Sequence, residues 1–441
     1  MINFFKKYRI EIFIFCLTVF IRMTYAFSIQ SFFGEDVFLS YSDAFIYEVL
    51  AKNMVSSGVF SEALVAPELV PDAMRTPGYP IFLAIFEYLN VPRILIIFAQ
   101  NILAGIIAVL IYRLSLGMFN SHLSGIIASA FYAFDPTAIY WTNLLMSDQF
   151  AGFFFILTVY LFWKKKYAWS GVALGITALI RPIFLYLAPI FLLAFIFIDI
   201  EKSKKIKALF FTFSFLAVVF PWMLRNYFLF GSWQLSSNGW MAIHFFTSSE
   251  FASKYGITHT WPETPEDFYN VSGADETGIV GSTIGPKRQT LYYYEFSNQP
   301  FYKKYFFNLV RAHPFDFTVF SLESSFKTFI KADYDYLMNH VLLPEAPWVK
   351  PIVRPFIIFS YTLWYLILAL AVVPIFYKKH RFWTVFILSF PVLNALLTGA
   401  IGDGSSQGRY NLPFLPFFLL LGAAGVYELW LRFQSRIGST N

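Results

Sequence analysis

Charge and thiols are both scarce in this chain. Its one cysteine, Cys16, stands inside the first apolar segment, so no intrachain disulfide can form and no thiolate metal site is available. Only 14% of the residues are charged, against 57% hydrophobic and 21% aromatic, a balance too apolar for an ordinary water-soluble domain. The six histidines are scattered, and His244, His259, His313 and His340 offer no pair at metal-ligand spacing. Nucleotide-type phosphate loops are absent, as is a Gly-x-Ser-x-Gly turn, which argues against a nucleotide-fuelled cytoplasmic enzyme. There is no internal repeat and no low-complexity segment. The formal charge of +6 follows from basic loops on one side of a membrane and implies no nucleic acid.

What is present is apolar sequence in membrane-length pieces. The expected fold is an all-α integral membrane protein, residues 1–441 forming one polytopic domain of about ten spans. These run from about Ile10 to Ser28, Arg93 to Tyr112, His122 to Tyr140, Ser147 to Trp163, Tyr167 to Ile180, Ile183 to Ile200, Ala208 to Tyr227, Ile352 to Tyr377, Phe382 to Gly402 and Tyr410 to Leu431. The first reads as a retained anchor rather than a signal peptide, with Arg22 snorkelling from it or serving the outer site. The sixth continues from the fifth through Arg181-Pro182, a hairpin with its tip at the membrane rim. Lys164 to Lys166, Lys202 to Lys207, Lys378 to Arg381, Arg432 and Arg436 place alternate loops and both termini in the cytoplasm of a plasma (inner) membrane. Asp43, Asp72, Asp135, Asp148 and Asp403 then all fall outside.

Two long polar interruptions lie on that outer side, residues 29–92 and 228–350. The first carries YSDAFIYEVLAKNM, an amphipathic juxtamembrane helix, then RTPGYP, and then a helix from Pro80 to Leu89 too short to span. The second, larger loop is read as a cap on the helix ends; its Asn270-Val271-Ser272 has the form of a glycosylation sequon.

Charged groups at the outer helix ends are the candidate chemistry. Asp43 sits at an aromatic boundary where partial desolvation would raise its pKa toward that of a general base; the competing role is a helix N-cap. Arg75, Arg181 and Arg409 come from three different segments, as a phosphate site requires, although each alone suits a lipid headgroup. Asp148, in MSDQF, either stabilises a helix N-terminus or lines the site together with Tyr79 and Arg225. No metal ligand is assigned. Asp333-Tyr334-Asp335 is an acid-x-acid triplet of divalent-cation type, and no soluble cofactor is required.

The order of YSDAFIYEVLAKNM, RTPGYPIFLAIF, LLMSDQF, ALIRPIFLYLAP, PWMLRNYFLFGSWQLSSNGW and GRYNLPFLPFFLLLGAAGV resembles the polytopic GT-C glycosyltransferases that use polyprenyl-phosphate sugars. Bacterial relatives of protein mannosyltransferases and aminoarabinose transferases are among these. The resemblance covers most of the chain to about Gly425 and is weakest between Phe251 and Trp348. It implies an inverting glycosyltransferase that moves a sugar from a polyprenyl-phosphate donor to a hydroxyl of an envelope glycan, lipid or protein. Asp43 takes the place of the catalytic acid, Arg75 that of a basic residue near the donor phosphate, and Asp148 that of an acid at the fourth span. Arg181, Arg225 and Arg409 fall in the family's recurring basic positions. Ala44 stands where protein mannosyltransferases often carry a second acid. The alternatives are a polysaccharide polymerase or ligase, and a lipid flippase or secondary transporter.

Overall fold

A computed structural model describes residues 6–63, 69, 71–198, 204–257, 299–330, 350–399 and 407–438. Their regular structure is helical, with no strand among the described residues. In chain order the helices are α1 (Arg9–Phe33), α2 (Ser42–Ser57), α3 (Gly78–Tyr88), α4 (Arg93–Phe119), α5 (His122–Phe134), α6 (Pro136–Thr142), α7 (Ser147–Trp163), α8 (Tyr167–Ile180), α9 (Ala188–Ile198) and α10 (Lys204–Phe230). A helical run over residues 238–255 is α11; then come α12 (Gln299–Ala312), α13 (Pro314–Ile330), α14 (Lys350–Ala371), α15 (Lys378–Gly399) and α16 (Leu415–Gly438). Lys202, Asn270, Asp333, Asp335, His259, His340 and Asp403 lie outside the described residues.

The protein is a multi-pass membrane protein, but the expectation of ten full spans needs correction. Six helical segments are long and apolar enough to cross: Arg9–Phe33, Arg93–Phe119, Lys205–Phe230, Ile358–Phe376, Lys378–Gly399 and Arg409–Ile437. A seventh forms if the bent pair α6 and α7, which meet at 111°, is one span. His122–Phe134, Tyr167–Ile180 and Pro182–Phe197 are apolar but shorter. At about 1.5 Å per residue each covers only about 20–24 Å, short of the roughly 30 Å hydrocarbon layer. Proline explains part of the shortening: Pro136 interrupts the run from His122 to Tyr140, which hydropathy alone reads as one span.

The centre of the bundle is aromatic. Phe155 on α7 lies within 4.9–5.4 Å, ring to ring, of Phe184, Phe390, Phe414 and Phe417. Small residues let neighbouring helices approach around it. A Cβ at Gly175 of α8 would come within 2.7 Å of Val218 on α10, so the α8–α10 seam tolerates no side chain there. In the second polar interruption α11, α12 and α13 share a cluster of Phe251, Leu309, Phe317 and Phe320. Helix α13 also packs along α15.

Irregular backbone inside such a bundle has to find donors and acceptors within the protein. Between α6 and α7 the chain turns through residues 143–146. Gln100 Nε2 of α4 donates there to the carbonyls of Thr142 (2.7 Å) and Leu144 (2.9 Å), and Asn101 Nδ2 donates to Asn143 Oδ1 (3.0 Å). Arg22 acts in the same way and does not snorkel. It is fully buried, its NH2 donates to Tyr132 O (3.1 Å) and its NH1 to Thr142 Oγ1 (2.6 Å) and Ala138 O, and its guanidinium lies 4.8 Å from the Tyr132 ring. In a continuous helix the Tyr132 carbonyl would accept from the N–H of residue 136, which is proline and has none. Arg22 supplies the missing proton donor.

Replacing Arg22 by leucine should therefore destabilise the protein by about 1–3 kcal/mol through the stranded Tyr132 carbonyl. The cost should shrink when Pro136→Ala restores an N–H at that position. Thermal melting in detergent of the two single variants and the double variant measures the coupling, and additive losses would remove this role from Arg22.

Candidate functional site

Five of the seven residues expected at the site meet in one ion-pair network. Asp43 lies in the first turn of α2, where it does not cap: the N-cap position is Tyr41, and no side chain caps the helix. Its carboxylate reaches out instead, accepting from Arg75 NH2 at 2.5 Å on Oδ1 and from Arg409 NH2 at 3.2 Å on Oδ2. Asp148, in the first turn of α7, accepts from Arg409 Nε at 3.0 Å and pairs through its other oxygen with Arg181 NH1. Arg409 thus joins the two carboxylates. Its guanidinium lies 4.8 Å from the Tyr41 ring and 5.2 Å from that of Trp141, an aromatic shelf that composition alone did not reveal.

Local sequence aims each of these groups. Arg181 precedes Pro182 and takes the extended backbone (φ −140°, ψ 116°) usual before proline, which ends α8 with the side chain facing α7. Arg75 is held on both sides. Thr76 Oγ1 donates to Ile180 O (3.0 Å), and Gly78 allows α3 to begin against α8, since a Cβ there would sit 2.8 Å from Leu179 O. On the other side Asp72 closes a turn: its carboxylate accepts from the N–H groups of Glu62 (2.7 Å) and Met74 (3.2 Å), and its own N–H donates to Phe60 O (3.0 Å). Ser237 N donates to Ala73 O at 2.8 Å, tying the segment to the chain after α10.

The remaining two expected residues stand one layer back. Arg225 NH1 donates to Asp72 O (2.7 Å) and its guanidinium lies 4.4 Å from the Trp222 ring, so it braces the Arg75 segment. Tyr79 is buried, donates to Gln100 Oε1 (2.6 Å) and meets Tyr47 edge to face at 5.0 Å, joining α3 to α4 and α2. Tyr47 in turn lies 3.0 Å, oxygen to oxygen, from Ser147 beside Asp148.

Electrostatics separate the acids into two kinds. Burial alone would raise the Asp43 carboxyl, but Arg75 and then Arg409 and Arg181 outweigh it and hold it below its ordinary 3.8. The expected rise toward a general base is thus reversed, with one guanidinium on each carboxylate oxygen. Asp72 goes the other way, raised by burial to about 7 against its backbone donors and Arg225, while burial and the nearby Asp72 charge push Glu62 well up. The network of three arginines and two aspartates has a net charge of +1. The side chains of Arg75 and Arg181 are 16% and 17% exposed, those of Arg409 and Asp148 only 7% and 0%. The Asp43 carboxylate, 19% exposed, shares the accessible edge with Arg75 and Arg181, and Arg409 and Asp148 lie behind. Among the described residues no three His, Cys, Asp or Glu side chains are placed to hold a metal ion.

A family model described as GPI transamidase subunit PIG-U matches residues 71–253. That stretch is less than half of the chain and contains Arg75, Asp148, Arg181 and Arg225, while Asp43 and Arg409 lie outside it. No curated protein matches the chain. The family match overturns four linked expectations: the GT-C resemblance, the glycosyltransferase function, its classification as such an enzyme, and the polyprenyl-phosphate sugar donor with its envelope acceptor. The physical source of the error is that acids and arginines at the ends of apolar helices suit any membrane protein that handles a charged lipid. They carry no record of which bond, if any, is broken there.

The two kinds of acid respond oppositely to pH. Asp43, lowered in the folded state, contributes stability that is complete above about 3.8 and disappears as pH falls through its folded value. Asp72, raised, binds its proton more tightly when folded, so its segment loses stability as pH climbs from about 3.8 to about 7. Hydrogen exchange of residues 72–76, corrected for intrinsic rates, should show more protection at pH 5 than at pH 8. Asp72→Asn should flatten the difference, and an unchanged difference in that variant would move the titration elsewhere.

Proposed function

We propose that the protein is a membrane-embedded binding subunit that holds the phosphate-bearing headgroup of a glycolipid anchor for a protein-transferring complex. The observation that carries this reading is the joining of Arg75, Arg181 and Arg409, from three distant segments, into one network of net charge +1 whose accessible edge holds Arg75 and Arg181 with Asp43. A phosphodiester brings one negative charge and matches that excess. The family match over residues 71–253 supports the reading, because the described family is a subunit of the GPI transamidase, which attaches proteins to GPI anchors. Asp43 and Asp148 act in this scheme as fixed counter-charges. They set the directions of the guanidiniums, so the headgroup meets donors already in place and little side-chain entropy is lost on binding.

The binding side is the one opposite the basic loops. Lys164 to Lys166, Lys378 to Arg381, Arg432 and Arg436 belong to the cytoplasmic face with both termini, and the arginine network faces outward. Reporters at Lys165 and Asn441 should register cytoplasm and one at Gly273 the outside. A cytoplasmic signal from Gly273 would reverse the orientation.

Binding is tested by purifying the full chain from its native membrane and analysing the co-purifying lipids and proteins by mass spectrometry. The wild type should carry a phosphate-bearing glycolipid and partner subunits. Arg75→Ala and Arg181→Ala should each reduce the bound lipid about tenfold, the scale of one charge-assisted contact, and should lower the melting temperature because Asp43 or Asp148 loses a partner, while partner subunits stay bound. Lipid recovery equal to wild type in both variants would end the proposal.

A further inference from the structure

A second charged feature lies at the other end of the bundle. Arg409 precedes α16, and Glu428 lies thirteen residues beyond the Leu415 start of that helix, about 20 Å along its axis. There a cavity of about 420 Å³ is lined by Phe376, Tyr377, Glu428, Leu431, Arg432 and Ser435. Glu428, Leu431, Arg432 and Ser435 form one stripe of α16. Opposite them Phe376 and Tyr377 end the turn between α14 and α15, and Tyr377 OH donates to Glu428 O at 3.3 Å.

The charges in this cavity are arranged unusually. Glu428 and Arg432 are four residues apart on one helix, in the order that favours an ion pair. Glu428 turns away instead. Its Oε1 lies 3.0 Å from both Lys379 Nζ and His380 Nε2 of α15, and its side chain is only 4% exposed. Lys379 balances the carboxylate. Arg432 makes no ion pair or side-chain hydrogen bond among the described residues; its carbonyl accepts from Ser435 Oγ. The cavity thus has a neutralised floor and a cationic wall.

Its depth identifies what meets that wall. Phe376 is the last residue of the candidate span Ile358–Phe376, and Arg432 is near the end of the span Arg409–Ile437. Phe376 is 76% exposed and Leu431 adds an apolar side. An aromatic ring, an aliphatic wall and an arginine at the point where two spans leave the hydrocarbon match the glycerol and phosphate of a membrane lipid. We propose that this cavity binds the phosphate of a membrane phospholipid headgroup through Arg432, as a site separate from the arginine network at the opposite end and independent of the function proposed for it.

The full chain in detergent, titrated with phosphatidylglycerol and read by native mass spectrometry, tests this. Wild type should retain phosphatidylglycerol, and Arg432→Ala should weaken its binding about fivefold, as expected for one partly exposed charged contact. Glu428→Gln should leave binding unchanged or tighten it, because it removes a negative charge beside the phosphate. Millimolar inorganic phosphate should not displace the lipid, since the apolar walls contribute only to lipid binding. Equal binding by Arg432→Ala at an unchanged melting temperature would overturn the proposal. So would weakening by Glu428→Gln as large as that of Arg432→Ala, which would signify recognition of an ammonium group, and so would displacement by phosphate, which would assign the cavity to the free ion.

Discussion

Arg409 is the side chain on which the polar end of this protein depends. It enters from the segment before the last helix, donates to Asp148 through Nε and to Asp43 through NH2, and packs against Tyr41 and Trp141. Each carboxylate holds a second arginine, so the five groups form a chain with Arg409 at its middle. Removing a partner from such a buried chain leaves an uncompensated charge, a loss of about 3–5 kcal/mol in comparable buried pairs. Asp148 is fully buried and Asp43 stands at the accessible edge, and their positions determine where Arg75 and Arg181 point.

The same demand for internal partners shapes the apolar part of the bundle. Residues 143–146 are irregular, and Gln100 and Asn101 of α4 provide their hydrogen bonds. Arg22 does so for the carbonyl exposed by Pro136. These polar side chains hold the turn from which α7 begins, and hence the place where Asp148 sits. Site and fold are held by one kind of interaction, a donor brought from a distant helix to a fixed acceptor.

Much of this was legible in the sequence. The membrane class, the helix from Ser42, the break at Arg181-Pro182 and the grouping of Asp43, Arg75, Asp148, Arg181 and Arg409 all follow from hydropathy, proline chemistry and charge at helix ends. What did not follow needed contacts between distant positions. Hydropathy placed Arg22 near a membrane end, and only its distance to Tyr132 reveals a buried role. The Asp135-Pro136 pair is an N-cap followed by proline at the first helical position, a local signal that divides an apparent span in two. The acidity of Asp43 depends on how many guanidiniums surround it, which no linear pattern records. Chemical function was least legible, because ordered charges at helix ends describe a surface that attracts anions without specifying a reaction.

The closure of the network by residues 43 and 409 also imposes an order on synthesis. A ribosome delivers the first 400 residues before the central guanidinium exists, so until then Asp43 and Asp148 belong to two separate pairs with Arg75 and Arg181. The network is complete only when the last helix is inserted. A chain that stops just before Arg409 lacks the buried last helix and leaves Asp43 and Asp148 with one arginine each in place of two.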